Sequence, residues 1–204
     1  MKMLLQPLPV RIFHWIMFFC IMLLLLSGLY LNHPPAEIRL KVSLMRKIQL
    51  YFGFLLLLNL SGQIYYYAVT RTYAEVLFLP RDLVNLRSFA RYVLFITDNH
   101  PNFGRYNPGQ KLLFTLWGLA VLLAGITGIV LVFPDNTLLI QRFVGGLQNL
   151  RLVHFGIAAF FAMSIPLHLY LVFTESPVKL QAIFTGYVET GSGKQENTGS
   201  SKKL

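Results

Sequence analysis

Cysteine is nearly absent: Cys20 is the single one in 204 residues. No disulfide framework can be built from it, and no Cys-x-x-Cys-His motif is present for covalent attachment of c-type haem. The several thiolates that hold an iron–sulfur cluster are missing as well. A lone cysteine in an apolar stretch reads as a small core hydrophobe. Charge is also scarce. Charged residues make up 13% of the chain, well below the roughly 25% of a soluble domain. Acidic residues are the scarcest, 8 against 18 Lys and Arg, which gives a net charge of +10.

What fills the space is apolar. Apolar residues make up 55% of the chain and gather in four blocks, about 12–32, 47–69, 112–133 and 151–173. Each is long enough for the ~30 Å hydrocarbon core, which a helix of about 20 residues crosses. The expectation is an all-α integral membrane protein, a four-transmembrane-helix bundle that crosses the bilayer several times. The first block exceeds the about 7–15 residues of a signal-peptide h-region, and no A-x-A-like site follows it. It is therefore expected to be a span rather than a removable leader.

With four spans, both termini share a side with the long connection 70–111. That side carries twelve of the eighteen Lys and Arg residues and the other side six, so both termini are predicted to be cytoplasmic. Topology and lipid contact then account for the basic surplus, and no nucleic-acid partner is expected. Within the long connection, PRDLVNLRSFARYVLFI (80–96) sets Leu83, Leu86, Phe89, Ala90, Val93 and Leu94 at helical spacing, with Pro80 at a helix start. This predicts an amphipathic interfacial helix on the inner leaflet, or a helix packing on a soluble partner. TLLIQRFVGGLQNL (137–150) reads as a second interfacial piece on the outer side. Residues 1–188 are read as one membrane domain. The stretch 189–204, polar and rich in Gly and Ser, is expected to be a disordered tail.

Histidines break the apolar pattern. RLVHFGIAAFFAMSIPLHLYLVF (151–173) contains His154 and His168, and imidazole is expensive to bury in hydrocarbon without a partner. Fourteen residues of helix advance about 21 Å and fall about 40° short of four full turns, so the two share nearly one face at opposite depths. Span one runs the other way and places His14, in RIFHWIM, at the inner depth of His168. Two imidazoles from different helices at one depth can clamp a b-type haem iron, closing both axial positions and suiting it to electron transfer. A proton or ion pathway and purely structural histidines are the other readings of the same spacing. At the outer depth the residue facing His154 is Gln49, a poor haem ligand. Gly28, fourteen residues after His14, and Gly53, one turn after Gln49, leave room there for a flat ring or for close helix packing.

These residues carry a resemblance. RIFHWIM at span one, RYNPGQKLLFTLWG entering span three, TGIVL later in it and the His-bearing span four keep one order over residues 8–175. In them the chain resembles the membrane cytochrome b (gamma) subunit of respiratory formate dehydrogenases and the related cytochrome b subunits of nickel-iron hydrogenases. The resemblance implies four helices around two haems b. His14 and His168 match the ligands of the inner haem, and His154 matches one ligand of the outer haem. The fourth family ligand is a histidine in a stretch that here reads RKIQLYFG, with Gln49 in its place. Three outcomes are compatible with Gln49: no outer haem, an outer haem on His154 alone, or a substitute ligand, His33 or Met45. The family also binds quinone beside the inner haem, which points to Asn107, Gly109 and Gln110 with His168 nearby. Asn and Gln offer both donors and acceptors to a quinone carbonyl or a water, while Asn-Pro-Gly also reads as a plain tight turn. His100, in the same connection, is a candidate protonation site or an ordinary loop histidine.

The resemblance thus implies a haem b subunit of a respiratory oxidoreductase complex in the bacterial cytoplasmic (inner) membrane. It would carry electrons between an iron–sulfur or other redox subunit and menaquinone or ubiquinone. With no cluster cysteines or flavin motif of its own, the chain would leave substrate chemistry to its partners. A stand-alone cytochrome b561-like oxidoreductase acting on superoxide or a soluble acceptor is the alternative, and a redox-inactive membrane anchor is a third.

Overall fold

Proline and polar caps set where the helices begin. The computed structural model describes residues 2–94, 96–97, 105–175 and 177–189. A short strand β1 (Lys2–Leu4) leads into α1 (Leu8–Asn32), which opens on the Pro7-Leu8-Pro9 segment. Proline there costs nothing, because the first helical N–H groups lack partners anyway. The helix ends at His33, whose backbone N–H bonds Leu29 O at 2.9 Å, and Pro34 and Pro35 cannot continue it. After an irregular turn come α2 (Val42–Val69), the single turn α3 (Tyr73–Val76) and α4 (Pro80–Val93). Then follow α5 (Pro108–Val132), a 3-10 turn Pro134–Thr137, α6 (Leu138–Val144), α7 (Leu147–Glu175), α8 (Pro177–Thr185) and β2 (Tyr187–Glu189).

Helices α1, α2, α5 and α7 are the four long, apolar ones, each able to cross a membrane. They begin four to five residues earlier than the apolar blocks, because their capping turns are polar or proline-rich. Their outward faces carry exposed apolar side chains such as Leu58, Met163 and Leu167, the surface that lipid would cover. Inside, α1 packs on α2, α2 on α5 and α5 on α7; the edge between α1 and α7 closes the ring with the least contact. The core is Cys20, Ile21, Leu56, Leu113, Trp117, Ala120, Val121 and Phe161. Cys20 is buried and free, as its apolar surroundings suggest.

At one end the chain's first and last described segments meet. β1 and β2 pair antiparallel, Lys2 opposite Glu189 and Leu4 opposite Tyr187. Arg11 donates to the carbonyls of Ile183 and Phe184, closing the α8 terminus against α1. Arg105 bonds Gln6 Oε1 at 2.9 Å and forms an ion pair with Glu75 at 3.0 Å. This ribbon end also holds α4. Its inward face is Asp82 and Phe89, and Asp82 pairs with Lys111 of α5 at 2.9 Å, both side chains nearly covered. Leu83 and Leu94 of the expected stripe are 63% and 67% exposed and project away from the bundle. The ion pair, rather than the leucines, therefore sets the rotation of α4 against α5. Of the segment 189–204, expected to be disordered, Glu189 instead ends β2 opposite Lys2, while 190–204, like His100, lies outside the described residues.

Candidate functional site

The three intramembrane histidines fall at two levels. His14 lies six residues into α1 and His168 seven before the end of α7, both toward the ribbon end. The two residues stand on either side of the loose α1–α7 edge, at the same end of the bundle. His14 meets Trp15 edge-on at 5.4 Å between ring centres. His168 leans on Trp117 at 5.2 Å and Phe114 at 6.4 Å, both from α5. His14 Nδ1 is buried with no hydrogen-bond partner, a position that ordinarily costs about 1–3 kcal/mol. An imidazole pair flanked by aromatic rings, with a buried nitrogen left wanting a bond, fits an iron clamped between α1 and α7. Bare metal does not fit: among the described residues no group of three His, Cys, Asp or Glu could hold an ion. His14 and His168 would hold a haem b there, and it would supply a one-electron iron centre.

The opposite level is built differently. His154, on α7, takes its Nδ1 to Thr127 Oγ1 of α5 at 2.8 Å. A Cβ on Gly128 would stand 3.7 Å from its Cε1, so the glycine gives the ring ordinary contact. Gln49 of α2 donates its amide to Leu24 O at 2.7 Å and to Ser27 Oγ at 2.8 Å, both on α1. Its Nε2 stands 3.3 Å from where a Cβ on Gly28 would lie, while Gly53 has open space around it. Of the two suggested substitutes, Met45 is buried in the first turn of α2. His33 is exposed in the loop after α1.

The loop ahead of α5 also has a definite structure. Asn107 Oδ1 accepts from the Gln110 amide at 2.8 Å and the Asn107 amide donates to Gln110 Oε1 at 3.2 Å. This is a reciprocal capping box, with Pro108 as the first helical residue. A Cβ on Gly109 would come 2.4 Å from the Phe89 ring, so glycine here lets α4 approach. Asn107 and Gln110 therefore cap α5, and Gly109 admits Phe89 of α4.

Sequence reasoning missed the partners. Ser27, Thr127 and Ser164, which accepts from Trp117 Nε1 at 2.8 Å, carry small hydroxyls that read as helix-packing residues until their partners are seen. Asn59 and Gln63 of α2 were missed as well. Asn59 donates to Phe13 O at 3.2 Å, and its Oδ1, like Gln63 Nε2, is buried without a partner. Two amides one turn apart in an apolar helix were the available signal.

Four apolar spanning helices with paired histidines on facing helices define an integral membrane cytochrome of the b type. A family model described as prokaryotic cytochrome b561 matches residues 5–186, and the chain belongs to that family. It is thus a multi-pass membrane protein for electron transfer with haem b. A comparison with curated proteins found no match.

Proposed function

We propose that the chain is the haem b subunit of a respiratory oxidoreductase complex of the bacterial inner membrane, akin to those of formate dehydrogenases and nickel-iron hydrogenases. It exchanges electrons between a partner's iron–sulfur or other redox centre and the quinone pool. The observation that carries this reading is the His14–His168 pair across the α1–α7 edge, with His14 Nδ1 buried and unbonded. His14 and His168 hold the iron. Trp117 and Phe114 pack on His168 and limit its rotation.

Quinone is assigned to the same end, beside Asn107, Gly109 and Gln110. In support, Asn59 Oδ1 and Gln63 Nε2, one acceptor and one donor, lie buried and unsatisfied in the same half of the bundle. A membrane-subunit role accords with the exposed apolar flank of α4, where Leu83, Val84 and Leu94 can meet lipid or a partner.

The test is purification of the full chain from its native membrane in mild detergent. The expected result is co-purification of large redox subunits, a low-spin haem b spectrum, and haem oxidation on adding a quinone. His14→Ala and His168→Ala are each expected to abolish the low-spin signal. A chain that purifies alone, with haem reoxidised by superoxide or a soluble acceptor but not by quinone, would establish the stand-alone reading instead. Absence of haem absorbance would establish a redox-inactive anchor.

A further inference from the structure

The two histidine levels are unequal in a way that spacing does not show. Among the described residues, the buried side-chain N and O atoms without a partner are His14 Nδ1, Asn59 Oδ1, Gln63 Nε2 and Arg105 Nε. All four belong to the half of the bundle at the ribbon end. In the other half the buried polar groups are satisfied by protein. Ser27 donates to Leu23 O at 2.5 Å while accepting from Gln49, and Thr127 donates to Leu123 O at 2.8 Å while meeting His154. A native fold leaves buried polar atoms bare only where something else supplies the bond, so one half calls for a ligand and the other does not.

Resting on the haem reading above, we propose that this protein holds a single haem, at the His14–His168 level, and that the α1–α2 side of the His154 level is closed by protein, the open space beside Gly53 notwithstanding. Gln49 does the closing. Its amide joins α2 to α1 through Leu24 O and Ser27 Oγ and fills the notch that Gly28 leaves. A macrocycle entering there would have to break both bonds and displace the side chain. It would then find a carboxamide, not an imidazole, opposite His154. The bond from His154 Nδ1 to Thr127 does not by itself argue against iron, since such bonds commonly orient ligating histidines. With Gln49 committed to α1, however, that bond is a tie between α5 and α7. The redox centre then lies at one end of the bundle, and electrons enter and leave from that end.

The experiment is a haem-to-protein ratio and a redox titration on the full chain purified from its native membrane. The expected result is one haem per chain and a single one-electron wave. That content should be retained in His154→Ala, and the low-spin signal should be lost in His168→Ala. Two haems per chain, or two waves of which one vanishes in His154→Ala, overturn the inference and leave the proposed function standing. No haem at all overturns both. The ratio and the wave count on the unmodified chain decide the matter even if a variant fails to fold.

Discussion

Ser27 and Ser164 look alike in the sequence, each a small polar residue in an apolar helix, yet they are held to different obligations. Ser164 is the acceptor for the buried Trp117 indole N–H. Ser164→Ala leaves that donor with nothing, a loss of about 1–3 kcal/mol. Ser27→Ala leaves Gln49 its second acceptor, Leu24 O, and is expected to cost nearer the ~0.6 kcal/mol average of hydrogen bonds between membrane helices. Denaturant titration of helix content in detergent should show Ser164→Ala as the clearly weaker protein. Equal losses would mean that the two bonds do the same work. The histidines were legible at this scale because a polar ring in an apolar run has few uses. The departure at Gln49 was legible as well. Its bonds were not, because nothing in RKIQLYFG names residues on another helix.

At the scale of elements, α4 shows how a buried charge can outrank an apolar stripe. Burial raises the Asp82 carboxyl, but the Leu79 amide and the Lys111 ammonium together hold it below the usual carboxylate range. A carboxylate with a depressed folded value stabilises above its unfolded pKa of about 3.9 and loses that contribution as pH falls through the folded value. Docking of α4 on α5 should therefore be unaffected near neutrality and weaken in acid below about pH 4. Limited proteolysis across this range should show the segment following α3 becoming cleavable only at the acid end. In Asp82→Asn it should be cleavable at neutral pH as well. The four spanning helices were readable because each is a sustained apolar run, and α4 because of its 3.6-residue period. The rotation of α4 was not readable, because Lys111 lies beyond an intervening loop and reads there as a topology signal. Nor was the β1–β2 ribbon, whose two three-residue strands have no pattern until they find each other.

For the whole molecule, pairing of β1 with β2 requires an even number of crossings between them, in agreement with four spans. In a Cys20→Ser background, Lys2→Cys and Thr185→Cys should react with an impermeant thiol reagent from one side of the membrane and Glu37→Cys from the other. The charge asymmetry predicts that the first two are cytoplasmic. Reaction of Lys2→Cys and Glu37→Cys from the same side would break the topology. Another consequence lies in the loose α1–α7 edge, and it concerns the order in which the chain is made. His14 leaves the ribosome in the first span and His168 in the last, while α1 and α2 are neighbours from the start. Spans one to three can enter the bilayer and pack with His14 still unmatched. With His14 and His168 as the proposed haem ligands, cofactor capture would be a late event in biosynthesis: the half-made protein is already a membrane protein, but it would become a cytochrome only when its final helix arrives.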